Sequence, residues 1–219
     1  TAIAALSQPL LGEHADAGET CSPVAYFAPA MAMIFLFFTI GTGARSLLAE
    51  RKQGTLARVR AAPVSDVAIL VGKTAGVVLL GVVSLAVVWA VTTFAFGADW
   101  GSPGAVAALI VGVVFAIAGI SVFVTGLART DAQADGLSAV VAFTLALLVG
   151  NFIQPGAMPD ALERVAQFTP NGRALAAFTE VGAGDATLAQ VWPTVAALVV
   201  GGLAIGAFGV VLLGRRGRS

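Results

Sequence analysis

Five long runs of uncharged residues divide this chain, and short charged segments separate them. Each run exceeds the roughly 20 residues that an α-helix needs to cross a bilayer. One charge at the centre of a membrane helix costs about 2.5 to 3.5 kcal/mol, so five runs without Asp, Glu, Lys or Arg indicate membrane spans. No run alternates with the two-residue period of a barrel strand. The predicted spans are the helices 20–44, 74–98, 100–128, 136–159 and 186–214.

Composition agrees with an integral membrane protein. The 219 residues are 58% hydrophobic and 11% charged, whereas a soluble domain has roughly 25% charged residues. A single cysteine, Cys21, and a single histidine, His14, leave no intrachain disulfide and argue against a thiol or histidine metal site. We therefore predict an all-α integral membrane protein without a catalytic or metal site.

Basic residues assign the connections to two sides of the membrane. If every run crosses once, only Arg164 and Arg173 fall on the other side, among many acidic residues. The positive-inside rule then places Thr1 outside and Ser219 in the cytoplasm. Because the chain starts with Thr1 and crosses an odd number of times, we expect one further span upstream. The basic residues on the cytoplasmic side are Arg45, Arg51, Lys52, Arg58, Arg60, Lys73, Arg129, Arg215, Arg216 and Arg218.

The segment 50–65 concentrates charge between the first two spans. Leu56 and Val59 form an apolar ridge at helical spacing, and Pro63 prevents the helix from continuing. Ser65 or Asp66 can cap the next helix. The pattern predicts a short cytoplasmic helix joined to both spans. A plain basic loop that only satisfies the positive-inside rule remains the alternative.

The external segments differ in character. Residues 1–19 carry no span, and the turn after the second span places Trp100 where an interfacial aromatic residue would lie. Residues 155–185 hold two short amphipathic patterns, which predict helices lying on the outer leaflet or dipping into it. The patterns are Leu162, Val165 and Phe168, then Leu175 and Phe178 after Asn171 as N-cap.

None of three further features of the sequence predicts a catalytic or binding site. Gly72-Lys73-Thr74 lacks the earlier glycine and the strand of a phosphate-binding loop, so no nucleotide site is expected. Gly202 and Gly206 favour close helix packing over a specific dimer seam. The spans contain no Asp, Glu, Lys or Arg, which disfavours an ion-coupled carrier.

The chain resembles the permease subunits of ABC-2 type exporters. The resemblance rests on the charged segment, on prolines before the last span, and on the order of spans, six in the family and five here. The segment Glu50-Arg51-Lys52-Gln53-Gly54-Thr55-Leu56, with Arg58, Pro63-Val64-Ser65 and Gly72-Lys73, is similar to the family's E-R-x-x-G-T-L-x-R, P-V-S and G-K signature. The prolines are Pro155, Pro159 after Met158, and Pro170.

This resemblance implies one permease domain over 1–219 with a six-helix, type V exporter-like fold in a bacterial plasma membrane. The implied partners are two ABC ATPase subunits, a second permease copy or homologue, and the lipid bilayer, with no nucleic acid. ATP and Mg²⁺ belong to the ATPases, so the chain itself carries no cofactor and is not an enzyme. The implied site residues are Glu50, Arg51, Gln53, Gly54, Thr55, Leu56, Arg58 and Pro63 of a coupling helix, Arg129 and Asp131 of a second cytoplasmic contact, Pro155, Met158, Pro159 and Pro170 of an external gate, and Phe35, Phe38 and Thr42 lining the path.

The sequence-based expectation is therefore an exporter permease, with drugs or lipids of hydrophobic or amphipathic character as cargo. The alternative is a membrane anchor or assembly protein that holds a cytoplasmic partner without transport. Attraction between basic residues and anionic lipid, about 1 kcal/mol per residue, makes that alternative physically possible. The identity of the substrate and of the second permease stays open.

Overall fold

Seven α-helices make up the described part of the chain. The computed structural model describes residues 23–52, 66–128, 130–149, 151, 159–184 and 186–216, and no strand is found among them. The predicted all-helical fold is confirmed. The helices are α1 Pro23–Lys52, α2 Asp66–Phe96, α3 Pro103–Leu127, α4 Asp131–Val149, α5 Asp160–Ala166, α6 Pro170–Gly182 and α7 Leu188–Arg216.

Four of these helices are long and apolar enough to cross a membrane. They are the segments Thr74–Phe96, Pro103–Leu127, Ala132–Val149 and Leu188–Leu212. The first predicted span, 20–44, falls in α1, which is 30 residues long, but the described apolar part of α1 is only Tyr26–Ile40. Four predicted spans are therefore found as apolar helices, while the total of five, and a sixth upstream, stay predictions.

The helices extend beyond the uncharged runs. α2 begins at Asp66 and α1 continues to Lys52, eight residues outside the predicted span at each place. α4 begins at Asp131 because the Thr130 hydroxyl accepts a hydrogen bond from Gln133 N at 3.1 Å, as an N-cap does. Charged residues are excluded from the part of a helix that lies in lipid. They are accepted at a helix end, where a charge of suitable sign interacts favourably with the helix dipole. The uncharged runs therefore predict where the spans lie but do not predict where the helices begin and end.

Helix α3 is the centre of the bundle. Of its span, 67% is buried inside the protein, against 11% for α2 and 22% for α4 and α7. α3 packs against α1, α2, α4, α6 and α7, and its largest interface is with α7. Most of the buried apolar side chains therefore lie on or against this helix.

Glycines bring the backbones of α3 and α7 into contact. A Cβ atom added at Gly209 would lie 2.6 Å from Phe123 Cα, and one at Gly126 would lie 2.8 Å from the Gly209 carbonyl oxygen. At Gly119 and Gly202 an added Cβ would meet backbone of the facing helix. Small residues permit such an approach between membrane helices. Gly202 and Gly206 thus serve a seam within the chain, in agreement with the predicted close packing.

The seam gives a matched pair of substitutions on α7. Gly202→Ala places a methyl group against the Phe115 backbone, whereas Gly201→Ala meets open space. Since overpacking a tight contact costs about 1–3 kcal/mol, we expect Gly202→Ala to lower the thermal unfolding midpoint of the purified protein clearly. Gly201→Ala should leave the midpoint unchanged or raise it, because alanine favours a helix more than glycine does. Equal shifts in both variants would contradict the seam.

Candidate functional site

Two short helices, α5 and α6, form a hairpin in which α6 packs against α1, α3, α4 and α7, while α5 packs mainly against α4 and α6. α6 has 13 residues, about 20 Å, which is too short to cross a bilayer. At its inner end, Pro170 and Asn171 line a pocket with Phe37 of α1 and with Val113, Ala116, Ile117 and Ile120 of α3. Since α3 runs from Pro103 to Leu127, this end lies at the middle of α3. Its other end lies against the turn between α2 and α3, so α6 lies alongside the first half of α3.

The α2–α3 turn holds the far end of α6. Trp100 is 3% exposed and packs edge-to-face on Phe178, with ring centroids 5.5 Å apart. Its indole N–H donates to the Thr92 hydroxyl at 3.1 Å. Gly101 has a φ of +79° and leaves no room for a Cβ beside the Val181 carbonyl oxygen. Thr92 satisfies the indole N–H inside the protein, and the interfacial position of Trp100 stays a prediction.

Thr169 starts α6 at the inner end. Its hydroxyl accepts from Gly172 N at 3.0 Å and donates to the Ala166 carbonyl oxygen at 2.7 Å. Pro170 follows at the first helical position, which suits a residue without an N–H. The predicted N-cap at Asn171 is therefore wrong, since Asn171 lies within the helix.

The helix α5 is shorter than its apolar pattern predicted. It ends at Ala166, because the chain turns there to present the Ala166 carbonyl oxygen to Thr169. Phe168, expected to continue the ridge of Leu162 and Val165, instead lies in the turn and is 90% exposed. A large apolar side chain is therefore displayed at the tip of the hairpin.

Two asparagines tie the inner end of α6 to α1. Asn151 and Asn171 are the only asparagines in the sequence, and both are buried. The Asn171 side-chain amide donates to Asn151 Oδ1 at 3.3 Å, and the Asn151 amide donates to the Ala30 carbonyl oxygen at 2.8 Å. Asn151 follows α4, so three helices meet at this polar link. Sequence reasoning missed the pair, although two lone asparagines in so apolar a chain were a usable signal.

The predicted path residues lie on an exposed aromatic surface. Phe35 is 68% and Phe38 38% exposed on α1. Phe38 packs edge-to-face on the exposed Phe143 of α4, with centroids 6.0 Å apart. The side chain of Thr42 lies outside the described residues. The helices α1 and α4 therefore share one exposed face that is rich in phenylalanine.

The predicted gate residues are only partly described. Pro170 begins α6 at the inner end of the hairpin. Pro159 is exposed just before α5. Pro155 and Met158 lie outside the described residues. The structure thus brings Pro170 to the α1–α3 pocket, beside Phe37 rather than the exposed Phe35 and Phe38.

The predicted coupling segment is described only at its start. Glu50 and Arg51 belong to the last turn of α1, so the first residues of the expected 50–65 helix continue α1 without a break. Asp131 is the first residue of α4, and Arg129 lies outside the described residues. Gln53, Gly54, Thr55, Leu56, Arg58 and Pro63 also lie outside the described residues.

The residues that line the pocket at the inner end of α6 are neutral. Within the ranges given above, no three His, Cys, Asp or Glu side chains come close enough to hold a metal ion. The hairpin presents amide, hydroxyl and aromatic groups, and it also exposes the charged side chains of Arg164, Arg173 and Glu180. This arrangement suits the positioning of helices and the contact of apolar molecules.

The asparagine link can be measured by a double-mutant cycle. Asn151→Leu removes the acceptor of the Asn171 amide, and we expect it to lower the free energy of unfolding by about 1–3 kcal/mol. Asn171→Leu should do the same, and the double variant should cost less than the sum, with a coupling of about 0.5–3 kcal/mol. Thr39→Val, which removes a hydroxyl that bonds within α1, is the control. Additive costs at the two asparagines would show that they do not act as a pair.

Comparison with known proteins agrees with this architecture. Residues 18–211 match the family model described as ABC-2 family transporter protein. The linearmycin resistance permease protein LnrN of Bacillus subtilis (strain 168) is 25% identical over 179 residues, which cover 82% of this chain and 46% of that protein. The chain thus spans less than half the length of this relative. No solved structure matches the chain.

The family match covers most of the chain, including the four apolar spans except for the last residue of Leu188–Leu212. LnrN, which is similar to this chain over most of the chain's own length, is itself named a permease. This chain therefore belongs to the ABC-2 family of transporter permeases.

Proposed function

We propose that this chain is the membrane-spanning permease subunit of an ATP-driven exporter, with ATP and Mg²⁺ bound on two separate ATPase subunits. The observation that carries the proposal is the family match over residues 18–211. The name of the relative, a resistance permease, favours export of drugs or lipids of hydrophobic or amphipathic character. Multidrug efflux from a bacterial plasma membrane is the corresponding physiological role.

The exposed aromatic surface is the proposed wall of the transport path. Phe35, Phe38 and Phe143 lie on adjacent helices and face away from the core. A second permease copy or a homologue placed against this face would enclose a path between the two subunits, with Thr42 further along α1. Phenylalanine rings offer a large apolar contact area to such cargo.

The hairpin of α5 and α6 is the proposed gate at the outer end of that path. It holds Pro159 and Pro170 and follows Pro155 and Met158. Both ends of α6 are fixed, one by Trp100 and the other by the asparagine link. A helix held in this way moves with its neighbours rather than alone, so a shift of α1 reaches the gate through Ala30.

Helix α1 provides the proposed connection to the ATPases. Its 30 residues correspond to about 45 Å of continuous helix. One end carries Glu50 and Arg51, and the Ala30 carbonyl oxygen that accepts from Asn151 lies towards the other. We assign ATPase contact to Glu50, Arg51, Gln53, Gly54, Thr55, Leu56, Arg58 and Pro63, and the second contact to Arg129 and Asp131.

The test is a charge reversal in the coupling segment. We expect Arg58→Glu, and separately Gly54→Pro, to insert normally and to retain basal ATP hydrolysis in the purified complex. Both should lose cargo-stimulated hydrolysis and transport, because the segment no longer fits the ATPase surface. The measurement is ATPase activity and dye efflux from proteoliposomes that contain the co-purified complex.

Arg216→Glu is the matched control, since it makes the same charge change on the same predicted side outside the segment. It should leave both activities unchanged. Unaltered stimulation and transport in Arg58→Glu and Gly54→Pro would overturn the coupling role. Purification without any ATPase, together with intact binding of another cytoplasmic protein, would favour a membrane anchor instead.

A further inference from the structure

Two arginines flank the turn between α5 and α6. Arg164 and Arg173 are the only basic residues in the sequence from position 130 to position 214. The Ala166 carbonyl oxygen lies so close to Gly172 that a Cβ atom there would touch it. Arg164 precedes Ala166 by two residues and Arg173 follows Gly172 by one, so the fold brings both basic residues to one turn. Both are exposed, and among the described side chains neither has an ion-pair partner.

This turn lies deep along α3. Pro170, three residues before Arg173, lines a pocket with Ile117 at the middle of α3. With α3 centred in a hydrocarbon layer roughly 30 Å thick, the backbone of Arg173 lies about 10 Å inside the nearer boundary. A charged side chain at such a depth extends towards the boundary and faces water or a group of opposite charge. Arg173 therefore needs an anion or water as its partner.

Apolar side chains are exposed in the same turn. Phe168 is 90% exposed and Val165 is 47% exposed. A purely polar occupant, such as inorganic phosphate, would leave these side chains in water. A purely apolar occupant would leave the guanidinium groups of Arg164 and Arg173 without an anion. A molecule that joins an anionic group to hydrocarbon chains satisfies both requirements.

We propose that this turn binds one phospholipid of the surrounding membrane, with the lipid phosphate at Arg164 and Arg173 and an acyl chain against Phe168. A guanidinium group pairs with phosphate through two parallel hydrogen bonds. A metal cation does not fit, because it would face two positive charges. Binding requires no transport step and no second subunit, so the proposal is independent of the proposed function.

Glu180 determines which headgroup fits best. Arg173, Ala176 and Glu180 are exposed at helical spacing on one face of α6, whereas most of its other residues are buried. The seven residues from Arg173 to Glu180 correspond to about 10 Å of helix. Arg173 is near the inner end of α6, and Glu180 is near the end that contacts the α2–α3 turn. In a zwitterionic headgroup the amine likewise lies further out than the phosphate, so we expect phosphatidylethanolamine to bind more tightly than phosphatidylglycerol.

Lipid binding is measured on the full chain with its co-purifying partners. The sample is delipidated in neutral detergent and titrated with phosphatidylethanolamine, phosphatidylglycerol or diacylglycerol of the same acyl chains, and native mass spectrometry counts the bound lipids. We expect saturable binding of one phosphatidylethanolamine per chain and no saturable binding of diacylglycerol, which lacks the phosphate. Diacylglycerol that binds as tightly as phosphatidylethanolamine would overturn the proposal.

Matched substitutions assign the bound lipid to the turn. Arg173→Gln, and separately Arg164→Gln, should weaken phosphatidylethanolamine binding by about tenfold or more, because each removes charge-assisted hydrogen bonds. Arg216→Gln removes the same charge at the end of α7 and should leave binding unchanged. Phe168→Ala should weaken binding as well, whereas Phe94→Ala, at an equally exposed phenylalanine of α2, should not. Equal effects of the turn variants and their controls would contradict the proposed site.

Glu180→Gln tests the headgroup preference separately. The variant should bind both phospholipids, because the arginines remain, but the ratio of its affinities for phosphatidylethanolamine and phosphatidylglycerol should fall. An unchanged ratio would show that Glu180 does not contact the amine. Equal affinities of the unsubstituted protein for the two lipids would show the same.

Discussion

A helix that begins inside a membrane bundle presents its first backbone N–H groups where no bulk water can bind them. The position of α6 depends on how these groups are satisfied. Pro170 has no N–H to satisfy, the Thr169 hydroxyl accepts from Gly172, and the Thr169 carbonyl oxygen accepts from Arg173. Because the chain solves this problem locally, a 13-residue helix can start at the middle of α3 and end at the α2–α3 turn.

The rest of the bundle holds that helix in place. Glycines on α3 and α7 let the two backbones come into contact, so these two helices pack closely together. α3 is then left with enough surface to pack on α1, α2, α4 and α6 as well. Trp100 fixes one end of α6, and the two asparagines connect its other end to α1. The same α1 carries Glu50 and Arg51 at its far end. One continuous helix therefore joins the proposed ATPase contact to the proposed gate.

The sequence predicted the spans because charge is excluded from lipid over whole segments. It predicted the helix ends less well, because Thr130 and Asp131 extend α4 into a charged region. A residue whose role depends on a partner far away in sequence was misassigned, because Asn171 bonds to Asn151 instead of capping a helix. Gly112, Gly119 and Gly126 recur every seven residues and would have predicted the α3 seam. The pocket at Asn171 could not be predicted, since it is formed by three helices far apart in sequence.

The most direct measurement is the depth of the inner end of α6. In a Cys21→Ser background, Pro170→Cys is combined with Ile117→Cys at the middle of α3, or with Ser102→Cys at its start, and treated with a short bifunctional thiol reagent. Pro170 and Ile117 line one pocket, so we predict efficient cross-linking of that pair and none between positions 170 and 102. Efficient cross-linking of 170 to 102, without that of 170 to 117, would show that α6 lies on the surface of the bundle and would contradict this account.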